Sequence, residues 1–450
     1  MAIALCSVTS EYAKILHREL RVNSNSDEYG KKIISLETID VEKYSKESVL
    51  EILSEYFPQK VSNEISSFWR ESLVYIPFGY AMSYPPEEPN VVDPNIDYPR
   101  GNFSFSGKLT DLQREDLPKV IECLKNTNSV ILSMFCGWGK TIGTIYLLSL
   151  IGLKAVILCH RLCIMDQWVQ SFKRFSPETK TWIFSTKKNI PEDIDVCIFN
   201  ITNVKKTERQ FFSNFGVLVA DEAHTTVCSV SNSKALLKFT PKYSIALTAT
   251  PDRSDNLDKI LYLHFGSFVI RRPLFRNFNY YIKETGFFPK IQINVIGKLD
   301  WNSVLESQAK NKKRNLIILE LLLRFKNRRF LVLCKRVDQA NILFKALEKV
   351  DSVDIYTGTS TYFDSEARIL ISTYNKSGVG FDNPTLDALL VAGDIGSESA
   401  IIQFVGRIFR GNDLTPLIID LMDSFGPLKT HLKERERIYQ DIGGMRNILE

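Results

Sequence analysis

Residues 129–150 read SVILSMFCGWGKTIGTIYLLSL, and their order decides the fold. The apolar run from Val130 to Met134 has the composition of a buried strand. A turn with two glycines follows, then Lys140 and Thr141, then an apolar-rich segment long enough for a helix. Strand, glycine turn, lysine, hydroxyl and helix make a phosphate-binding loop. Gly137 and Gly139 let backbone N–H groups turn toward a polyphosphate, and the helix aims its positive N-terminal end at the same anion. Lys140 supplies a mobile charge for the β- and γ-phosphates of ATP, and the Thr141 hydroxyl is placed for Mg²⁺. The full G-x-x-x-x-G-K-T pattern would have its first glycine at Met134, so residues elsewhere must complete the reading.

Outward from this loop, short β-rich runs alternate with helical segments: AVILC at 155–159, VCIF at 196–199, VLVA at 217–220 and SIALT at 244–248. Continuous apolar strands separated by helices predict a parallel sheet covered on both faces. A second series follows, with FLVLC at 330–334, VDIY at 353–356, ILIS at 369–372, ALLVA at 388–392 and PLIID at 416–420. Between them, residues 271–310 are less regular and read as a connector with a strand or two of its own. Before these two series, residues 1–84 mix short helical and strand-like patterns, and residues 85–100 carry five prolines, as a linker or extended arm does. The expected division is an N-terminal accessory domain and linker over 1–104, an ATP-binding domain over 105–285 and a C-terminal domain over 286–450.

At 450 residues, with 44% hydrophobic and 24% charged side chains, the chain has the composition of an ordinary soluble protein of two or three domains. No apolar run approaches the roughly 18 residues that span a bilayer, and no basic flank precedes the brief apolar start, so the sequence reads as intracellular and without membrane contact. Eight scattered cysteines form no paired C-x-x-C sets and read as buried reduced thiols. Residues 1–100 hold 10 Lys+Arg against 16 Asp+Glu, leaving 47 against 36 for residues 101–450. An acidic end followed by a basic body suits a polyanion partner for the body.

The residues that complete the loop's chemistry follow the run VLVA. Asp221 and Glu222, in the tetrad DEAH, stand at the carboxyl end of a predicted parallel strand, where an α/β sheet binds its ligand. Asp221 is a candidate to hold Mg²⁺, and Glu222 to orient the attacking water as general base.

With these residues in view, the chain resembles a superfamily 2 helicase over about residues 105–425. Leu112-Gln113 resembles the upstream glutamine element, CGWGKT motif I, ILCHRLCIMDQW motif Ia, DEAH motif II and Thr248-Ala249-Thr250 motif III. STYNKSGVGFD resembles motif V, and QFVGRIFR, from Gln403 to Arg410, resembles motif VI. The spacing of motif V and the opening Gln403 are similar to the XPB and UvsW branch rather than to DEAD-box RNA helicases. ETGFFP, DWNSVL, KRN and RERIY resemble helicases of large nucleocytoplasmic DNA viruses, the poxvirus transcript-release type among them.

That resemblance implies an α/β fold of two tandem RecA-like parallel-sheet domains with an additional N-terminal domain. It implies an ATP hydrolase that moves along nucleic acid, with 3′ to 5′ polarity, encoded by a virus and acting in transcription termination, replication or repair, in the host cytoplasm, the nucleus or the virion. The nucleotide site would comprise Gln113, which reads adenine, with Gly137, Gly139, Lys140, Thr141 and Asp221, joined by Gly380, Asp382 and Gln403 from the second domain. Arg407 and Arg410 would be arginine fingers that reach the γ-phosphate when the cleft closes. His160, Arg161 and Gln167 of motif Ia, with Thr373 and Lys376 of motif V, would touch the sugar-phosphate track. Trp168 could stack on a base or pack into the interior. The basic groups KNKKR at 310–314 and KNRR at 326–329 are either solvated faces or part of the track. Single-stranded or duplex DNA is the leading track. RNA or an RNA–DNA hybrid is the alternative, and a nucleic-acid-binding scaffold whose acidic end docks an RNA polymerase is a rival of a different class.

Overall fold

The computed structural model describes residues 97–450 apart from 187–190, 192, 253–256, 294–296, 359, 361, 378–380, 382, 410–413 and 449–450; before residue 97 it describes five short strands and Gly79. Those strands are β1 (Ala2–Leu5), β2 (Arg21–Ser24), β3 (Lys32–Ser35), β4 (Thr38–Ile39) and β5 (Val74–Pro77). β1, β5 and β4 form an antiparallel sheet, and β2 pairs with β3. The helical patterns read in residues 1–84 lie outside the described residues, as does most of the proline-rich arm. Its end is strapped down. The buried Tyr98 donates its hydroxyl to the Thr240 carbonyl, and Arg100 bridges Leu153.

The chain divides into two compact units, Met1–Met134 with Trp138–Arg271, and Phe135–Gly137 with Arg272–Glu450. In the first, β6 (Ser129–Met134), β7 (Ala155–Cys159), β8 (Thr181–Ile183), β9 (Val196–Asn200), β10 (Val217–Ala220), β11 (Tyr243–Thr248) and β12 (Val269–Arg272) form a sheet of order β12-β6-β11-β10-β7-β9-β8. Every pair from β6 to β8 is parallel. Each residue of β6, β7 and β10 is buried, which is why these strands are continuous apolar runs rather than alternating ones. Because β6, β11, β10 and β7 are consecutive in the sheet and run the same way, the loops that follow them lie side by side at its carboxyl edge. The phosphate loop, Thr248–Thr250, DEAH and His160-Arg161 are those loops.

The second unit repeats the plan. β13 (Phe278–Glu284), β14 (Phe330–Cys334), β15 (Val353–Tyr356), β16 (Ile369–Thr373), β17 (Ala388–Val391), β18 (Leu417–Met422) and β19 (Gly444–Asn447) form a sheet of order β15-β16-β14-β17-β18-β13-β19 with all six pairs parallel. β13 comes from the irregular connector and lies between β18 and β19. The two compact units divide at Arg271.

The run KNKKR proves divided. Lys312 and Lys313 are exposed, but Arg314 is buried, its Nε donating to Asp423 Oδ1 at 2.9 Å and its Nη1 to the Ala392 carbonyl at 2.6 Å. In KNRR, Arg328 pairs with Asp387 at 2.9 Å and Arg329 with Glu366 at 3.4 Å. These arginines hold the fold rather than a free basic face.

Candidate active site

The phosphate loop is built as its residue types require. Gly137 has φ 106° and Gly139 φ 87°, left-handed values that a side chain at either position would strain. Gly139 caps the helix Lys140–Ile151, so Lys140 and Thr141 are that helix's first two residues. The Lys140 ammonium reaches back over the loop and donates to the Met134 carbonyl at 2.9 Å.

Trp138 and Gln113 tie the loop to the preceding helix, Asp111–Thr127, through contacts that the sequence did not show. Trp138 is buried, and its Nε1 donates to Asp116 Oδ2 at 3.0 Å. Gly143 makes room for the indole, since a Cβ there would lie 2.7 Å from the ring. Gln113, expected at the base, is also buried. Its Nε2 donates to the carbonyls of Trp138 and Gly139, both at 3.1 Å, and its Oε1 accepts from Thr110 N at 3.0 Å in a capping box. A readable signal existed in the helix-interior Gly143, a position where glycine costs about 1 kcal/mol unless something needs the space.

At the end of β10, Asp221 Oδ1 accepts from Glu222 N at 2.9 Å and Oδ2 accepts from Trp168 Nε1 at 2.8 Å. Burial and the adjoining Glu222 carboxylate push Asp221 up to about 6, while the Trp168 N–H and the charge of Lys140 pull it down. Glu222 has φ 45°, a strained conformation for a residue with a side chain. Its Oε2 is buried with no hydrogen-bond partner, and His224 Nδ1 stands 3.6 Å away. The buried Asp221 carboxylate, next to a half-buried Glu222 with one unsatisfied oxygen, fits a divalent cation and a water. Among the described residues no group of three or more His, Cys, Asp or Glu forms an all-protein metal cage.

Motif III joins the cluster. His224 Nδ1 lies 3.0 Å from Thr248 Oγ1, which donates to the Thr250 carbonyl. His160 is 3.5 Å from Thr226 Oγ1, and that hydroxyl donates to the Asp221 carbonyl at 2.5 Å. Burial, then the charges of Arg161 and His224, push His160 down to about 4 against the pull of Glu222, so it is neutral near pH 7. Arg161 is half-buried at the start of helix Leu162–Phe175, Gln167 is exposed on it and Trp168 faces inward.

In the second unit, Thr373 is buried at the end of β16, and Lys376 lies with its ammonium 4.9 Å from the centre of the Tyr356 ring. Gln403 is half-buried on helix Glu398–Arg407, and the buried Arg407 donates through Nη1 to the Phe381 carbonyl. Gly380, Asp382 and Arg410 lie outside the described residues.

Residues 106–253 match the family described as "Type III restriction enzyme, res subunit". The chain is 36% identical over 86% of its length to a protein named as helicase 161L of Invertebrate iridescent virus 6, spanning 92% of that protein. The chain belongs to the superfamily 2 helicases. As a member it hydrolyses ATP and binds nucleic acid, and its twin parallel sheets are the tandem RecA-like domains of that superfamily. It is 27% identical to the transcript termination protein A18 of Yaba monkey tumor virus, over 71% of each chain. The solved structure of S. cerevisiae Dbp5 bound to RNA and ADP BeF₃ shares the fold, with TM-score 0.55 and 14% identity over 76% of this helicase and 90% of that chain. Among the described residues no helix is long and apolar enough to cross a membrane.

Proposed function

We propose that this helicase is a virus-encoded DNA motor that hydrolyses Mg²⁺·ATP and moves 3′ to 5′ along the strand. The buried Asp221 and the half-buried Glu222 beside Lys140, with Glu222 Oε2 unsatisfied, carry this reading. The backbone of Gly137 and Gly139 and the Lys140 ammonium bind the phosphates, and Thr141 and Asp221 would hold Mg²⁺, which would supply positive charge to the polyphosphate. Glu222 Oε2 takes the proton of the attacking water as its oxygen bonds to the γ-phosphorus and the bridging oxygen leaves with ADP. Gln113 acts on the nucleotide site through the loop carbonyls it holds. Arg407 and Arg410 are the arginine fingers of this reading, adding charge to the γ-phosphate, and Gly380, Asp382 and Gln403 are its further nucleotide-binding residues. Arg161, Gln167 and Lys376 contact the phosphate track, and His160 and Thr373, both set back from the surface, position the loops that do so.

The acidic residues 1–104 form an accessory module suited to docking an RNA polymerase in transcript release. An RNA track is the second reading, favoured by the fold shared with Dbp5. ATP turnover measured with no polymer, single-stranded DNA, duplex DNA and RNA decides between them. Stimulation by DNA supports the proposal, and stimulation by RNA alone overturns its choice of track.

A further inference from the structure

The DEAH carboxylate is held from two sides. Glu222 N donates to Asp221 Oδ1 at 2.9 Å, and Trp168 Nε1 donates to Asp221 Oδ2 at 2.8 Å. With one donor on each oxygen, the carboxylate plane is fixed and the remaining lone pairs point in set directions. Trp168 is itself immobile, since it is 1% exposed and packs on Phe172 with ring centroids 6.0 Å apart. A phenylalanine would supply most of that packing. Only the N–H requires tryptophan, and it is spent on the oxygen of a carboxylate that is buried against a second acidic residue. On the same helix, Asp166 and Gln167 face solvent, so a single rigid turn spans from the surface to the carboxylate.

We propose that Trp168 is a positioning residue whose indole N–H holds the Asp221 carboxylate in the orientation that receives the divalent cation of bound nucleoside triphosphate. This rests on the reading of Asp221 as a metal ligand. A donor behind a metal-binding carboxylate fixes its rotation before the cation arrives, and loss of such an outer partner typically costs about 10- to 100-fold in metal affinity. The effect belongs to the metal-dependent part of nucleotide binding, because the phosphates alone are held by the loop and Lys140.

The test is titration of the full chain with a fluorescent, non-hydrolysable ATP analogue, with and without Mn²⁺, to obtain the gain in affinity that the metal confers. Trp168→Phe, and replacement of Trp168 by 3-benzothienylalanine, which keeps the bicyclic shape and lacks the N–H, should each cut that gain about 10-fold or more. Metal-free affinity should stay unchanged. Phe172→Leu disturbs the same packing without touching the N–H and should keep the gain. If the wild-type chain shows no metal-dependent gain, or Asp221→Asn keeps all of it, the reading of Asp221 fails. If the gain exists and depends on Asp221 but survives in the benzothienyl variant, or is lost equally in Phe172→Leu, the role assigned to Trp168 is overturned.

Discussion

The indole N–H of Trp138 donates to the Asp116 carboxylate at 3.0 Å, which ties a residue inside the phosphate loop to the middle of helix Asp111–Thr127. Both side chains are buried. Trp138→Phe removes one donor from a buried carboxylate and should destabilise the chain by about 1.5–3 kcal/mol. Urea unfolding would measure the loss, and a raised KM for ATP with a smaller change in kcat would place the effect on the loop.

Gly143→Ala sets two effects against each other. Alanine in a helix interior gains about 1 kcal/mol over glycine. The new Cβ would lie 2.7 Å from the buried Trp138 ring, and overpacking of that kind costs about 1–3 kcal/mol. The clash should win. A lower melting temperature and weaker ATP binding are expected, and a more stable variant with normal binding would show that the ring can yield.

The strands that the sequence made legible are those buried on both faces, such as VLVA and FLVLC, whose continuous apolar runs have no alternative use. β13 is harder to read because only Phe278 and Tyr280 of its seven residues are buried, so in sequence it merges with the connector around it. At the site, charged and hydroxyl residues at strand ends were legible by type, whereas the partners of the two tryptophans were not. The sequence leaves Trp168 between base stacking and packing; it packs, and it also donates a hydrogen bond to Asp221. KNKKR reads as one basic run in sequence, but helical periodicity turns Lys312 and Lys313 to solvent and Arg314 inward to Asp423.

Lys140→Ala should reduce ATP turnover on the order of 10²-fold or more, if the ammonium stabilises the transferring phosphoryl group by several kcal/mol. Glu222→Gln should be equally slow but should bind ATP and retain it, since Asp221, the proposed metal ligand, remains. Rapid-quench turnover and filter binding separate the two, and a Glu222→Gln chain unable to bind ATP would contradict the roles given.

His160 gives a pH signature. Its folded value, about 4, lies below the ordinary histidine value of 6.5, so the unfolded chain binds more protons between those limits and His160 costs stability as pH falls from about 6.5 toward 4. Asp221, pushed up to about 6, works in the opposite direction over part of that window. The difference between wild type and His160→Gln isolates the histidine. Thermal melts should show the variant gaining on wild type as pH falls from about 6.5, and a constant difference would mean that His160 is not held neutral.

The central claim of the proposal is that ATP and nucleic acid together change the distance between the two α/β units, the step in which Arg407 and Arg410 are proposed to act on the phosphate. Fluorophores placed through unnatural amino acids at the exposed positions Glu178 and Lys349 report on this directly. The distance between them should shorten when DNA and a non-hydrolysable ATP analogue are both present, relax after hydrolysis of ATP, and fail to shorten fully in Arg407→Ala. A distance that stays the same under every combination of ligands would contradict the motor, even in a chain that binds ATP.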